Sequence, residues 1–213
     1  MAEYTLYCFA ESGNSYKAAL MLALTGADWA PAWVDYFGGQ TRGEPFRRDL
    51  NEIGEVPVLE HGDERISQSG VILDYLAERT GRFGARNAAH RREIWRWILF
   101  DNHKFTSYFA TLRFLAALQK SGDPAVIAFL RQRVEGSRAI VEKHLARQPF
   151  LAGDDPTIAD ISAVGYLYYP EETGVDLAAT PNIQAWLQRI ASLPGWRPPY
   201  ELMPRGPAAA AAL

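Results

Sequence analysis

Apolar and polar positions along the chain follow two rhythms, and the change from one to the other divides it. Residues 4–9, YTLYCF, are aromatic and β-branched enough for a buried strand, and 15–25, SYKAALMLALT, place Ala18, Leu22 and their apolar neighbours at helical spacing. PAWVDYF at 31–37 predicts a second short strand, followed by a polar irregular stretch. VPVLEHGDERISQ then predicts an antiparallel hairpin turning at HGD, and SGVILDYLAERTG a helix that stops at Gly81. Strands and helices mixed in this order predict a mixed sheet with helices packed on it over residues 1–80. After the linker TGRFGARNA every periodic segment is helical, at 88–119, 124–146, 157–169 and 182–193, so residues 88–205 are expected to form an all-α domain with a frayed tail from about 205.

Composition narrows the function. The 213 residues are 48% hydrophobic and 22% charged with a formal net charge of -3, which gives no reason to expect nucleic acid or an anionic membrane as partner. With one cysteine, Cys8, neither an intrachain disulfide nor a cysteine metal cluster is available, and a reducing cytosol fits. No secretory leader and no membrane-spanning run is evident, so a soluble cytoplasmic protein is expected. Asp101, His103 and His144 lack companions at ligand spacing, and no metal is expected.

Several short motifs carry the chemistry. ESGNSYK, residues 11–17, puts small hydroxyl-bearing residues where the first strand hands over to a helix, whose N-terminus can hold an anion. Val56-Pro57 opens the hairpin, and Ser67 or Ser69 reads as an N-cap of the helix that follows. Thr157 and Asp160 stand at capping-box spacing with aspartate in place of glutamate, a structural role whose loss should cost about 0.5 to 2 kcal/mol. Lys17, a cation in the first helical turn, opposes the helix dipole and is expected to point to solvent.

SGNSYK, GEVPVL and QSGVILDYL in this order, followed by FLAGDDPTIADI and TPNIQAWLQRIASLPGW, resemble the cytosolic glutathione transferase family, of bacterial serine or asparagine type, from residue 4 to about 197. The resemblance implies a thioredoxin-like α/β domain, an all-helical second domain, glutathione as co-substrate, a small electrophile as second substrate, a detoxifying activity and a homodimer. It implies a cis bond at Pro57, with Val56 pairing its backbone with the cysteinyl part of glutathione and Gln68 and Ser69 holding the γ-glutamyl end. Gln40 is the best-placed contact for the glycyl part, although Glu52 and Glu55 stand where the family commonly carries proline and a lysine or glutamine; Arg42, Arg47 and Arg48 are expected on a surface face.

The chemistry expected of the first turn is thiol activation. Lowering a thiol pKa of about 8.5 by about two requires roughly 2.7 kcal/mol of preference for the anion. A hydrogen bond to a charged acceptor contributes about 1.5 to 3 kcal/mol and the helix end about 0.3 to 1 more. Ser12 is the first candidate donor, Asn14 the second, and Ser15 the third, with capping as its alternative role. Tyr7 falls on the wrong strand face for a tyrosine mechanism, and Cys8 reads as an inert packed residue. Phe105, Tyr108, Phe109, Tyr166 and Tyr200 are candidates for an electrophile pocket, with core packing the expected role for most. Glutathione-dependent isomerisation of an unsaturated diacid, disulfide reduction and a non-catalytic binding module remain as alternatives.

Overall fold

The computed structural model describes residues 2–169 and 174–207. Its contacts divide the chain into two units, one running to Arg82 and joined by the segment from Leu193 onward, the other Phe83–Ser192. The helical domain expected to reach 205 therefore ends at Ser192, and the segment after it belongs to the first unit. Of the tail expected to fray, residues 208–213 lie outside the described residues.

The first unit is built on a sheet of four strands in the order β2-β1-β3-β4. These are β1 (Tyr4–Cys8), β2 (Trp29–Trp33), β3 (Val58–His61) and β4 (Glu64–Ser67). β1 runs parallel to β2 and antiparallel to β3, which pairs antiparallel with β4. The second strand lies two residues before the expected 31–37, with Pro31 opposite Leu6 on an edge strand, the place in a sheet where a missing N–H donor is tolerated. Tyr4, Leu6 and Cys8 are buried while Thr5 and Tyr7 are half-exposed, the alternation of a strand with one covered face.

Helix α1 (Gly13–Thr25) is buried almost all round, including Ala18, Ala19, Leu20, Met21 and Leu22, and it packs on α3 (Ser69–Thr80). The stretch expected to be irregular contains a short 3-10 turn, Gln40–Arg42, and helix α2 (Glu44–Asp49), whose Pro45 fits a first turn that needs no N–H donor. α3 stops where Gly81 takes a left-handed φ of 66°.

The segment from Leu193 packs against α1 and the turn before it. Ala10 donates its N–H to the Pro204 carbonyl at 3.1 Å, and the Tyr16 hydroxyl donates to the Arg197 carbonyl at 2.8 Å. Gly195 has φ 89°, and a Cβ there would lie 2.4 Å from the Ala23 carbonyl oxygen. Neither the conformation nor the space admits a side chain, so Gly195→Ala is expected to destabilise by about 2 kcal/mol or more, read as a lower midpoint in urea unfolding.

The second unit is helical. A long rod begins as α4 (Ala88–Phe100), passes through a π-helical turn, Asp101–Phe105, continues as α5 (Thr106–Arg113) and ends in a second π turn, Phe114–Leu118. The uniform helix expected over 88–119 is thus widened twice. At the first widening the buried Asp101 carboxylate accepts from the Thr106 N–H at 3.2 Å and from the Ser162 hydroxyl at 2.6 Å. α6 (Pro124–Leu145) starts at an Asp123 cap and turns Leu130, Val134, Ser137, Val141 and Leu145 inward. α7 (Ile158–Ala163) and α8 (Pro181–Ala191) complete the unit, and Glu142 of α6 caps α8 from outside by accepting the N–H groups of Asn182 and Ile183. A short α9 (Pro199–Leu202) returns to the first unit.

The capping box at α7 is present, with the Thr157 side chain accepting from Ala159 and its N–H donating to Asp160 Oδ2 at 2.8 Å. Asp160 does more than cap. Its Oδ1 also accepts from Leu151 N–H at 2.8 Å and from the Trp186 indole at 3.0 Å, tying α7 to α8. Burial pushes this carboxyl above its ordinary range, and the donated hydrogen bonds pull against that.

Candidate functional site

Strand register gathers the first unit's motifs. Tyr7 is paired with Val58, and Val58 with Ser67, so the turn leaving β1, the Val56-Pro57 entry to β3 and the exit of β4 into α3 lie at one end of the sheet. Each of these three places presents backbone groups with no partner among the described residues.

At the first, Ser12 is the N-cap of α1 and is only 7% exposed. Its Oγ accepts the Ser15 N–H at 3.1 Å, which leaves the hydroxyl proton available to another acceptor. The first-turn N–H groups of Gly13 and Asn14 have no hydrogen-bond partner among the described residues. Asn14 is half-buried, and its side-chain oxygen is buried without a partner. Ser15 is fully buried and its hydroxyl is likewise unpartnered, so the capping considered for it falls to Ser12 and Ser15 supplies only the N–H that is capped.

At the second, the Val56-Pro57 bond is cis. The Val56 backbone makes no hydrogen bond among the described residues. The loop before it is pinned by Asn51, which the sequence did not single out. Asn51 is buried, its amide donates to the Glu55 carbonyl at 2.8 Å and its oxygen accepts the Ile53 N–H at 3.1 Å. The latter bond is an Asx-turn, and an asparagine two residues before a loop bend is its sequence signal.

At the third, the N-cap position of α3 is Gln68, with φ 69° and no side-chain cap. Neither Ser67 nor Ser69 is the cap that was expected. The Ser69 hydroxyl and the N–H groups of Ser69 and Gly70 have no partner among the described residues, a donor cluster at a helix N-terminus. Gln68 donates to the Glu55 carboxylate at 3.2 Å, so this departure from the family pattern has a local function.

Gln40 is exposed and its side-chain oxygen accepts the Asp35 N–H at 2.8 Å, while its amide nitrogen has no partner among the described residues. Arg42, Arg47 and Arg48 are exposed, as expected, and Arg48 is held by Asp49 in a paired contact of 2.7 and 2.6 Å. Lys17, expected in solvent, is fully buried on α1.

Two alternatives for the chemistry are disposed of by geometry. The Tyr7 hydroxyl donates to Glu60 at 3.1 Å, and burial and that carboxylate both raise its pKa. Cys8 is completely buried, and burial pushes its thiol up to about 12. Native protein is therefore expected to resist alkylation by iodoacetamide at about pH 8, while urea-unfolded protein takes up one adduct by mass.

The pocket candidates scatter. Phe105 and Phe109 are each 1% exposed and packed ring to ring with centroids 5.0 Å apart, which makes them core rather than lining. Tyr166 is buried with its ring 6.3 Å from Tyr169. Tyr108 is half-buried along a groove of about 470 Å³ with Lys104, Arg133 and Ile140, inside the helical unit. Tyr200 belongs to the first unit, under the Arg205 guanidinium at 4.3 Å. The His144 ring lies tilted against Trp97 with centroids 4.4 Å apart, and His103 is exposed. Among the described residues no group of three His, Cys, Asp or Glu side chains is placed to hold a metal, and no helix is long and apolar enough to cross a membrane.

With this geometry in view, the likeness to known proteins is specific. Residues 2–78 match the glutathione S-transferase N-terminal domain and residues 107–194 the glutathione S-transferase C-terminal domain. The crystal structure of a glutathione S-transferase from Pseudomonas fluorescens is 33% identical, with a TM-score of 0.87 over 93% of this chain and 100% of that one. A maleylacetoacetate isomerase of Rhizobium meliloti is 30% identical over 90% of this chain and 92% of its own length. The Escherichia coli disulfide-bond oxidoreductase YfcG is 31% identical over 87% and 89%. The chain belongs to the glutathione S-transferase family.

Proposed function

We propose that this protein is a cytoplasmic, homodimeric glutathione transferase that ionises the thiol of bound glutathione and presents it to a small electrophile. The observation that carries this reading is the register row Tyr7, Val58, Ser67, which places three sets of unpartnered backbone groups at one end of the sheet. In this reading the γ-glutamyl carboxylate takes the Ser69 and Gly70 N–H groups and the Ser69 hydroxyl, with Gln68 beside them. The cysteinyl backbone pairs with the Val56 backbone in the loop ahead of β3, much as an added strand pairs its main chain. Pro57 fixes the chain between Val56 and β3, and Gln40 reaches the glycyl end with its free amide nitrogen.

Ser12 donates its hydroxyl proton to the sulfur, and the Gly13 and Asn14 N–H groups add the field of the helix end. Asn14 is the second side-chain donor; the buried Ser15 acts through its backbone alone. The sulfur then bonds to the electrophilic carbon while the leaving group departs with its electron pair, and the thiol proton has already passed to solvent. No base is needed, because ionisation comes from stabilising the anion.

The similarity to an isomerase and to a disulfide oxidoreductase keeps two further reactions of the same thiolate in view. Parallel assays with an aryl halide, a maleyl-type diacid and a mixed disulfide separate them, and the proposal expects the aryl halide to be turned over. Activity confined to either of the others would replace conjugation with isomerisation or reduction. Absence of glutathione binding in calorimetry would mean a non-catalytic module instead.

A further inference from the structure

We infer that Arg205 is a positioning residue of the thiolate turn, acting through Glu11 to hold the local potential favourable to an anion; this rests on the reading of the Ser12 turn given above. Glu11 directly precedes the Ser12 cap in the chain, one residue from the donor proposed for the sulfur. A carboxylate there opposes ionisation of the thiol by like-charge repulsion. Arg205 Nε donates to Glu11 Oε1 at 3.3 Å and sets a positive charge against it.

The guanidinium is held for this task. It stacks over the Tyr200 ring at 4.3 Å, and the residue before it accepts the Ala10 N–H at 3.1 Å. Chain positions almost two hundred residues apart are thus joined on both sides of one peptide, immediately ahead of the cap. The Glu11 side chain is 16% exposed against 62% for Arg205, so the acid is the more confined partner and the arginine reaches in from solvent. Lys17 on α1, Asp74, Glu78 and Arg79 on α3, and Arg197 and Glu201 on the C-terminal segment are other charged groups of the elements packed on α1. They are common to every variant below.

The test compares the thiolate fraction of glutathione bound to the wild type and four variants, by ultraviolet absorbance at one pH below the wild-type midpoint. Glu11→Gln is expected to raise the fraction and Arg205→Ala to lower it, each about twofold for charges partly screened by water. The double variant Glu11→Gln/Arg205→Ala should return to the wild-type value, and Arg205→Lys should stay close to it. If Arg205 only tethers the chain end, Glu11→Gln breaks the same contact and lowers the fraction as Arg205→Ala does, which overturns the inference. A depressed thiol in the wild type that is identical in all four variants overturns it too, while leaving the transferase reading intact. An unshifted thiol in the wild type overturns both.

Discussion

Asp160→Ala is expected to destabilise the helical unit by about 3 to 5 kcal/mol, well beyond the loss of a helix cap. The carboxylate is completely buried and accepts from the Leu151 N–H, the Thr157 N–H and hydroxyl, and the Trp186 indole. Truncation leaves the two backbone donors and the indole buried and unsatisfied, and each such group costs about 1 to 3 kcal/mol before water enters the vacated space. Thr157→Ala removes one capping acceptor and is expected to cost only about 1 kcal/mol. Urea unfolding of the two variants side by side checks this, and equal losses would mean that the Leu151 and Trp186 bonds contribute nothing. Glutathione affinity per folded molecule should be unchanged in both, since Asp160 lies in the helical unit and the glutathione contacts proposed above lie in the other.

The second large effect is on rate. Ser12→Ala is expected to lower kcat/KM for an aryl halide about ten- to a hundredfold, the rate equivalent of one hydrogen bond to a charged acceptor. It also removes the acceptor for the Ser15 N–H, so stability should fall by about 1 kcal/mol. Ser12→Thr keeps both functions and should retain most of the activity. Ser15→Ala provides the contrast. Its hydroxyl is buried with no partner, so the substitution is expected to leave the rate alone and to be neutral or mildly stabilising. A Ser15→Ala enzyme as impaired as Ser12→Ala would contradict the assignment of roles.

Much of this arrangement was legible in the sequence because it depends on local rules. The hairpin around HGD, the helix stop at Gly81 and the Thr157-Asp160 box each rest on residues within a few positions of one another, and the structure has them where the pattern put them. The position of β2 was less legible, since in PAWVDYF the strand signal of the aromatics runs past Trp33 into the loop. The π turns were not read from the apolar pattern, and at the first of them Asp101 binds Ser162, a partner 61 residues on that no local window contains.

The site divides in the same way. The SGNS turn, Val56-Pro57 and Gln68-Ser69 are contiguous motifs and could be named from sequence, but which serine caps which helix is decided by backbone angles. Gln68 rather than either serine takes the N-cap place on α3, and Ser15 is capped rather than capping. Lys17 looked solvent-bound because helix position alone carries no information about what later segments cover it. Glu142 and Trp186 act between helices, 40 and 26 residues apart from their partners, and no window of the sequence contains both.

The most direct test of the account is a titration of glutathione bound to the wild-type protein, following the ultraviolet absorbance of its thiolate from acid to alkaline pH. The expected midpoint lies about two pH units below that of the free thiol near 8.5, and moves back toward it in Ser12→Ala. A midpoint no lower than that of free glutathione, or one equally depressed when Ser12 is alanine, would contradict the claim that this turn favours the ionised sulfur.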